Sequence, residues 1–205
     1  MSGMAVYQPE ALALRDLAQR TSSSSSLLED FSNLGAILFA IRETPFGDEV
    51  DRALALLVDG VTGYTVLQAG STLVPQILYG PDDARDLGLE SDGTIRLVAL
   101  LAAMYQPVPP SLIVLEEPEM GLHPGVLGAL AEIVIEASTR MQVLVTTHSP
   151  DLIDRFDPDV IRIVEKVNGE SVVGRVDPAQ RDLIHKRLYR PSELMRIEGL
   201  VREPE

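Results

Sequence analysis

Through its first third the chain sets apolar residues at helical spacing. Leu12, Leu14 and Leu17 among polar neighbours predict a short amphipathic helix over residues 9–20, which Thr21 and the run Ser22 to Ser26 break as a flexible connector. The same period returns over 32–42 and 47–58, with Ser32 as a cap ahead of the first apolar run and Pro45-Phe46-Gly47 between the two helices. From Gly63 to Tyr79 the texture turns β-branched and aromatic and predicts two strands split by Ala69-Gly70-Ser71. Pro75 lacks an N–H for a ladder, so the second strand is expected at a sheet edge. Residues 81–89 read as a polar loop.

The second half alternates more plainly. Helices are predicted over 91–104 and 125–138, unbroken apolar strands over 112–115 and 143–147, and a short helix over 150–155. Strands that are apolar on both sides and alternate with helices imply parallel pairing with both faces covered. Asn168-Gly169 between two alternating runs suits a type I′ hairpin, and helices over 177–190 and 191–200 finish the chain.

Composition adds limits. Of 205 residues 45% are hydrophobic but only 4% aromatic, with no Trp, so aliphatic side chains build the core. A net charge of -14 repels phosphate backbones at long range and argues against nonspecific nucleic-acid binding. The basic group Arg181, Lys186, Arg187, Arg190 and Arg196 reads as a solvated face. No cysteine excludes disulfides and thiolate metal sites, and no apolar run reaches membrane-spanning length, so a cytoplasmic setting with no membrane partner is expected.

Chemistry gathers at strand ends. Leu112-Ile113-Val114-Leu115 leads into Glu116-Glu117-Pro118, which puts two carboxylates at the C-terminal edge of a buried strand, where α/β sheets place ligands. Successive side chains of a strand point to opposite faces, so one acid can hold hydrated Mg²⁺ while the next orients or deprotonates water. Val143-Leu144-Val145-Thr146-Thr147 ends at His148, an imidazole able to contact a terminal phosphate. Ser91-Asp92-Gly93-Thr94 stands at a loop-to-helix junction, where Ser91 can cap and Gly93 lets backbone N–H groups approach an anion.

In this order the segments resemble the C-terminal lobe of ABC-type ATPases of the RecF/SMC-like, AAA-family branch. LEEPEMGLHP is similar to a Walker B strand with its D-loop, VLVTTHSP to an H-loop, and SDGT to the ABC signature. The resemblance implies an α/β, P-loop NTPase-like fold with parallel core strands, flanking helices and a C-terminal β-hairpin, incomplete without an N-terminal lobe. It implies residues 1–27 as an N-terminal helix and connector and 28–205 as the lobe. It also implies ATP and Mg²⁺ as cofactors, with Glu116 at the metal, Glu117 as catalytic base and His148 as γ-phosphate sensor. Ser91, Asp92, Gly93 and Thr94 would face nucleotide held by a second subunit, and Gly121 and His123 would belong to the D-loop between subunits. An ATP-bound dimer is the expected partner state, and DNA is compatible with the intact system.

The chain departs from the pattern in three places. Glu116 stands where Asp is usual, and Glu90, Asp92 and Thr94 replace signature residues. No G-x-x-x-x-G-K-[ST] loop is present; the only lysines are Lys166 and Lys186, neither behind a glycine loop. The expectation is therefore a C-terminal piece or split half of an ATPase, inactive alone. The alternative is a non-catalytic half that lends a surface to a partner. A metal-dependent nuclease on Glu116, Glu117, Glu119 and Asp151 is a third class.

Overall fold

The computed structural model describes residues 3–10, 14, 19, 20 and 25–204, in two compact units, Met1–Thr146 and Thr147–Glu205. In the first unit a parallel sheet runs in the order β1 (Met4–Tyr7), β6 (Leu112–Glu116), β7 (Gln142–Thr146). Its centre is β6, with Ile113, Val114 and Leu115 buried; Tyr7 of β1 pairs with Leu115, and Glu116 pairs with Thr146. Strand β7 alternates exposed and half-buried residues, and among the described residues no strand pairs with its outer edge. The expectation that both apolar strands are covered on both faces holds for β6 and fails for β7, because an apolar run reports what a strand can bury and not which neighbours are present.

An antiparallel sheet lies in the same unit. Here β3 (Gly63–Ala69) pairs along its whole length with residues 72–78 of β4 (Thr72–Gly80), and β4 also takes β2 (Gln19–Arg20) and β5 (Asp83–Asp86) on its other side. Three expectations are corrected. Strand β4 is central and not an edge; Pro75 is tolerated because β2 reaches only Leu73 and β5 begins at Gln76, leaving no ladder bond for the ring to block. Asp83–Asp86 is a strand and not loop, since the turn at Pro81-Asp82 folds it back onto β4. Gln19–Arg20 is extended, because pairing with β4 overrides the local helical period. Residues 11–13 and 15–18 of that predicted helix, and 21–24 of the serine run, lie outside the described residues.

Helices α1 (Leu34–Arg42), α2 (Phe46–Leu57), α3 (Asp92–Tyr105) and α4 (Leu127–Ala137) complete the unit. From Thr94 onward α3 is buried on every side but Arg96, as a helix apolar all round must be. Ser32 does not cap α1; it bonds Asp30, while the buried Asn33 accepts from the Leu28 N–H and donates to the Ser26 carbonyl. At the end of α3, buried Gln106 donates to the Tyr7 hydroxyl and accepts from the Leu27 N–H. One side chain thus joins α3, β1 and residue 27, so part of the segment set apart as 1–27 is built into the central sheet.

One ionic cluster fixes α1 and α2 against β3. The Arg42 guanidinium grips Asp51 through both arms, at 2.6 and 2.9 Å, donates to the Tyr64 carbonyl and stacks 3.9 Å over the Tyr64 ring. Asp51 also accepts from the Tyr64 N–H at 2.9 Å. Close approach here requires glycine at 63, since a Cβ would stand 2.3 Å from Asp51 Oδ1.

In the second unit α5 (Pro150–Ile153) is followed by the hairpin of β8 (Arg162–Val167) and β9 (Glu170–Arg175), then α6 (Pro178–His185) and α7 (Pro191–Ile197). Asn168 and Gly169 both take positive φ, 52° and 90°, the turn expected for this pair. Asp154 holds α7 by accepting from the Ser192 N–H and hydroxyl. No helix among the described residues is long and apolar enough to cross a membrane.

Two outcomes follow. Gly63→Ala is expected to lower stability by about 1–3 kcal/mol in urea unfolding, because Asp51 must leave its partners; a wild-type midpoint would refute the close approach. Burial holds the Tyr64 hydroxyl un-ionised up to about 12, above its ordinary 10. Tyr64 therefore contributes stability below pH 10 that is lost as pH rises through 10–12, and Tyr64→Phe should flatten the alkaline unfolding curve in that window.

Candidate functional site

Strand β6 delivers Glu116 and Glu117 to its C-terminal tip, both half-buried, followed by buried Pro118. The chain does not continue as a strand. Glu117 takes the left-handed conformation, with φ 42°, which costs a non-glycine residue roughly 1–2 kcal/mol. It is held there from β7: the Glu117 N–H donates to the Thr146 carbonyl at 3.0 Å and lies 3.3 Å from Thr146 Oγ1. The Met120 N–H then donates to the Glu117 carbonyl, and the Leu122 N–H to the Glu119 carbonyl, winding residues 117–122 into a tight reversal. Backbone strain concentrated on one carboxylate at a strand end is the kind stored at working sites.

The reversal brings the second motif in. Gly121 has φ 76°, and its carbonyl would lie 3.0 Å from a Cβ at Gly93. Any side chain at 93 would thus press the 117–122 loop away from the start of α3. Ser91 caps α3, its Oγ accepting from the Thr94 N–H at 3.2 Å and lying 2.9 Å from Thr94 Oγ1. Ser91 and Asp92 are exposed, Gly93 half-buried and Thr94 buried. Asp92 occupies the first turn of the helix, where its carboxylate already satisfies the positive helix end. The structure thus juxtaposes Gly93 with Gly121 and ties Glu117 to Thr146 across the sheet.

His123 is exposed and starts the turn Pro124–Val126, its Nδ1 accepting from the Gly125 N–H at 3.0 Å. That bond leaves Nε2 to carry the proton in the neutral ring. His148 belongs to the second unit; it is exposed, in a turn where Thr147 Oγ1 accepts from the Ser149 N–H, just ahead of the Ser149 cap of α5. Asp151, offered for a nuclease, is exposed in the first turn of α5.

Two residues escaped the sequence reading. Thr146 reads there only as the polar tip of an apolar strand. Tyr79, at the end of β4, donates to Glu90 Oε2 at 2.7 Å and anchors the residue before Ser91. Burial, with that bond to Glu90, pushes the Tyr79 hydroxyl up to about 12. Arg85 of β5 stacks 4.2 Å over the ring. The aromatic at 79 and the acid at 90 were both visible, but nothing local says that they meet.

The strain at position 117 can be isolated. Glu117→Gly is expected to be more stable than Glu117→Ala by about 1 kcal/mol, since only the glycine adopts φ 42° without cost. Thermal unfolding of the two variants decides it, and equal stability would mean that the left-handed turn is not maintained.

Known proteins give a consistent picture of the fold. A family model described as "AAA domain, putative AbiEii toxin, Type IV TA system" matches residues 10–154, more than half of the chain. No curated protein matches the chain in sequence. Among solved structures, one from work on ATP-driven dimerization and DNA-stimulated activation of SMC ATPases aligns at 15% identity and TM-score 0.51, over 70% of this chain and 90% of its own. An SMC head bound to the C-terminal winged-helix domain of ScpA aligns at 15% identity and TM-score 0.59, over 86% of this chain and 57% of its own. The Pyrococcus furiosus SMC head with an extended coiled coil, bound to the ScpA C-terminal domain, aligns at 17% identity and TM-score 0.55, over 70% of this chain and 37% of its own. These likenesses place the chain in the P-loop NTPase fold of SMC heads, and it spans only part of the latter two structures.

Proposed function

The chain belongs to the AAA-domain family whose model covers residues 10–154, and we propose from that premise that it is the Walker B side of a Mg-ATP hydrolase. On this reading residues 28–205, with β1 added, are the C-terminal lobe of an ABC-type, SMC/RecF-like ATPase, and the phosphate-binding lysine loop comes from outside these 205 residues. The observation that carries it is the strained, Thr146-held Glu117 at the tip of a buried parallel strand, in the same unit as the close contact of Gly93 with Gly121.

The donor set suits the chemistry in part. Glu116 offers hard carboxylate oxygen at a half-buried strand end, which fits Mg²⁺ through water. Bound there, the ion would supply charge neutralisation for the terminal phosphates. Glu117, turned out of the strand direction, is positioned to orient a water and accept its proton. The Ser91 hydroxyl and the start of α3 at Gly93 would face phosphate oxygens of nucleotide held by a second subunit, with the Gly121–His123 loop at that seam, and His148 would contact the transferred phosphate. ATP fits only in part, since nothing in the sequence cradles its β-phosphate. Among the described residues no strand pairs with the outer edge of β7, which supports the same reading: an apolar strand unpaired along one edge needs a neighbour, and a loop-bearing lobe would bring one. The shared fold with an SMC ATPase described for ATP-driven dimerization fits a dimeric nucleotide state.

Asp92 favours a second reading, a non-catalytic half that lends a surface to a partner ATPase. Its carboxylate sits in the first turn of α3, where an incoming phosphate would bind, and repels it.

The purified 205-residue chain is expected to release no phosphate from ATP above background. Robust turnover that disappears in Glu117→Gln would overturn the claim that the lysine loop lies elsewhere. Joined by a lobe carrying that loop, the chain should hydrolyse ATP. Glu117→Gln should then lower kcat by roughly 10²–10⁴ while ATP-dependent association persists. Unchanged turnover would remove Glu117 as the base, and ATP-dependent association without any turnover would establish the second reading.

A further inference from the structure

Helices α2 and α4 each present one stripe to a shared groove of about 360 Å³. The stripe of α2 runs Glu49, Ala53, Leu56 and that of α4 runs Glu132, Ile133, Glu136, at helical spacing in both cases, with Tyr105 between them. Ala53 and Ile133 form an apolar floor, each 7% exposed, and Leu56 stands at the lip with 65% of its surface in water. The small side chain at 53 lets another backbone come close, and Leu56 adds an exposed apolar side chain beside it on the solvent face of α2, which it shares with Asp48, Arg52 and Ala55. None of these residues belongs to the strand-end site.

The rim is acidic. Arg52, also at the groove, folds back so that its Nε donates to the Asp48 carbonyl of its own helix, and Arg140 is already engaged with Glu136 at 3.2 Å. The surroundings deepen the charge: residues 1–146 contain seven arginines and no lysine against nineteen Asp and Glu. Such a field excludes phosphate backbones and anionic surfaces and draws cationic ones.

We propose that the α2–α4 groove is a docking site for a basic amphipathic helix of a protein partner, its apolar stripe laid on Ala53, Leu56 and Ile133 and its Lys or Arg flanks set against Glu49 and Glu132. The mode is helix-in-groove, with apolar anchors giving affinity and the acidic rim giving orientation. It stands independently of the ATPase reading.

The test uses the full chain and a fluorescent peptide of about 18 residues, leucine and lysine at helical spacing, read by anisotropy, beside a leucine–glutamate counterpart. The lysine peptide should bind and the glutamate peptide should not. Leu56→Asp should weaken binding roughly tenfold even though it makes the chain more acidic, which separates groove docking from general charge attraction. Glu132→Lys should weaken it as well, while Asp82→Lys, the same charge change in the exposed turn before β5, should leave it within about twofold. Both groove positions are exposed, so these variants keep the core. Failure of the lysine peptide to bind, equal or tighter binding by Leu56→Asp, or equal loss in Asp82→Lys would each overturn the proposal.

Discussion

Two parallel strands are tied at their tips by the Glu117 N–H, which reaches back to the carbonyl and hydroxyl oxygens of Thr146, and the rest of the site depends on that tie. Without it, a left-handed glutamate would relax toward extended backbone and the reversal through Met120 and Leu122 would unwind. Gly121 would then leave Gly93, and the start of α3 would lose the loop packed against it. A few hydrogen bonds thus transmit position from β7 to β6 to α3 over three separate stretches of sequence.

The scaffold beneath is arranged to resist that relaxation. Strand β6 is central, and α3 is buried nearly all round, so neither can shift without disturbing aliphatic packing. At the far end of α3, Gln106 joins Tyr7 and Leu27, so the helix that begins at Ser91 is anchored where it ends. On the antiparallel side Arg42, Asp51 and Tyr64 do the equivalent for α1, α2 and β3, and Tyr79 carries β4 to Glu90. Strain at one carboxylate is sustained by order in several elements at once.

What could be read from the sequence was what is local. Helical period located α2 and α3 to within a residue, Asn168-Gly169 specified its turn, and the apolar run before Glu116 marked a buried strand tip. What escaped depends on distant partners. Strands β1, β2 and β5 are two to four residues long, and their conformation is decided by a neighbour remote in sequence for β1 and β2, and by a tight turn back onto β4 for β5. The same ignorance of neighbours made Pro75 look like an edge residue and β7 look fully covered. Glu117 and Thr146 are 29 residues apart, so Glu117 could be nominated for chemistry while its contact with Thr146 could not.

The outer edge of β7 also bears on how much of this protein a cell can keep. An apolar strand whose outer edge no strand pairs with among the described residues is a template for pairing with any other extended chain, its own copies included. Newly made molecules whose edge stays open are exposed to aggregation and to proteolytic quality control, while those whose edge is covered are withdrawn from both. If the proposed loop-bearing lobe covers that edge, the amount of folded chain is limited by the supply of that lobe, and the two components are matched in number after synthesis without any control over how much of each is made.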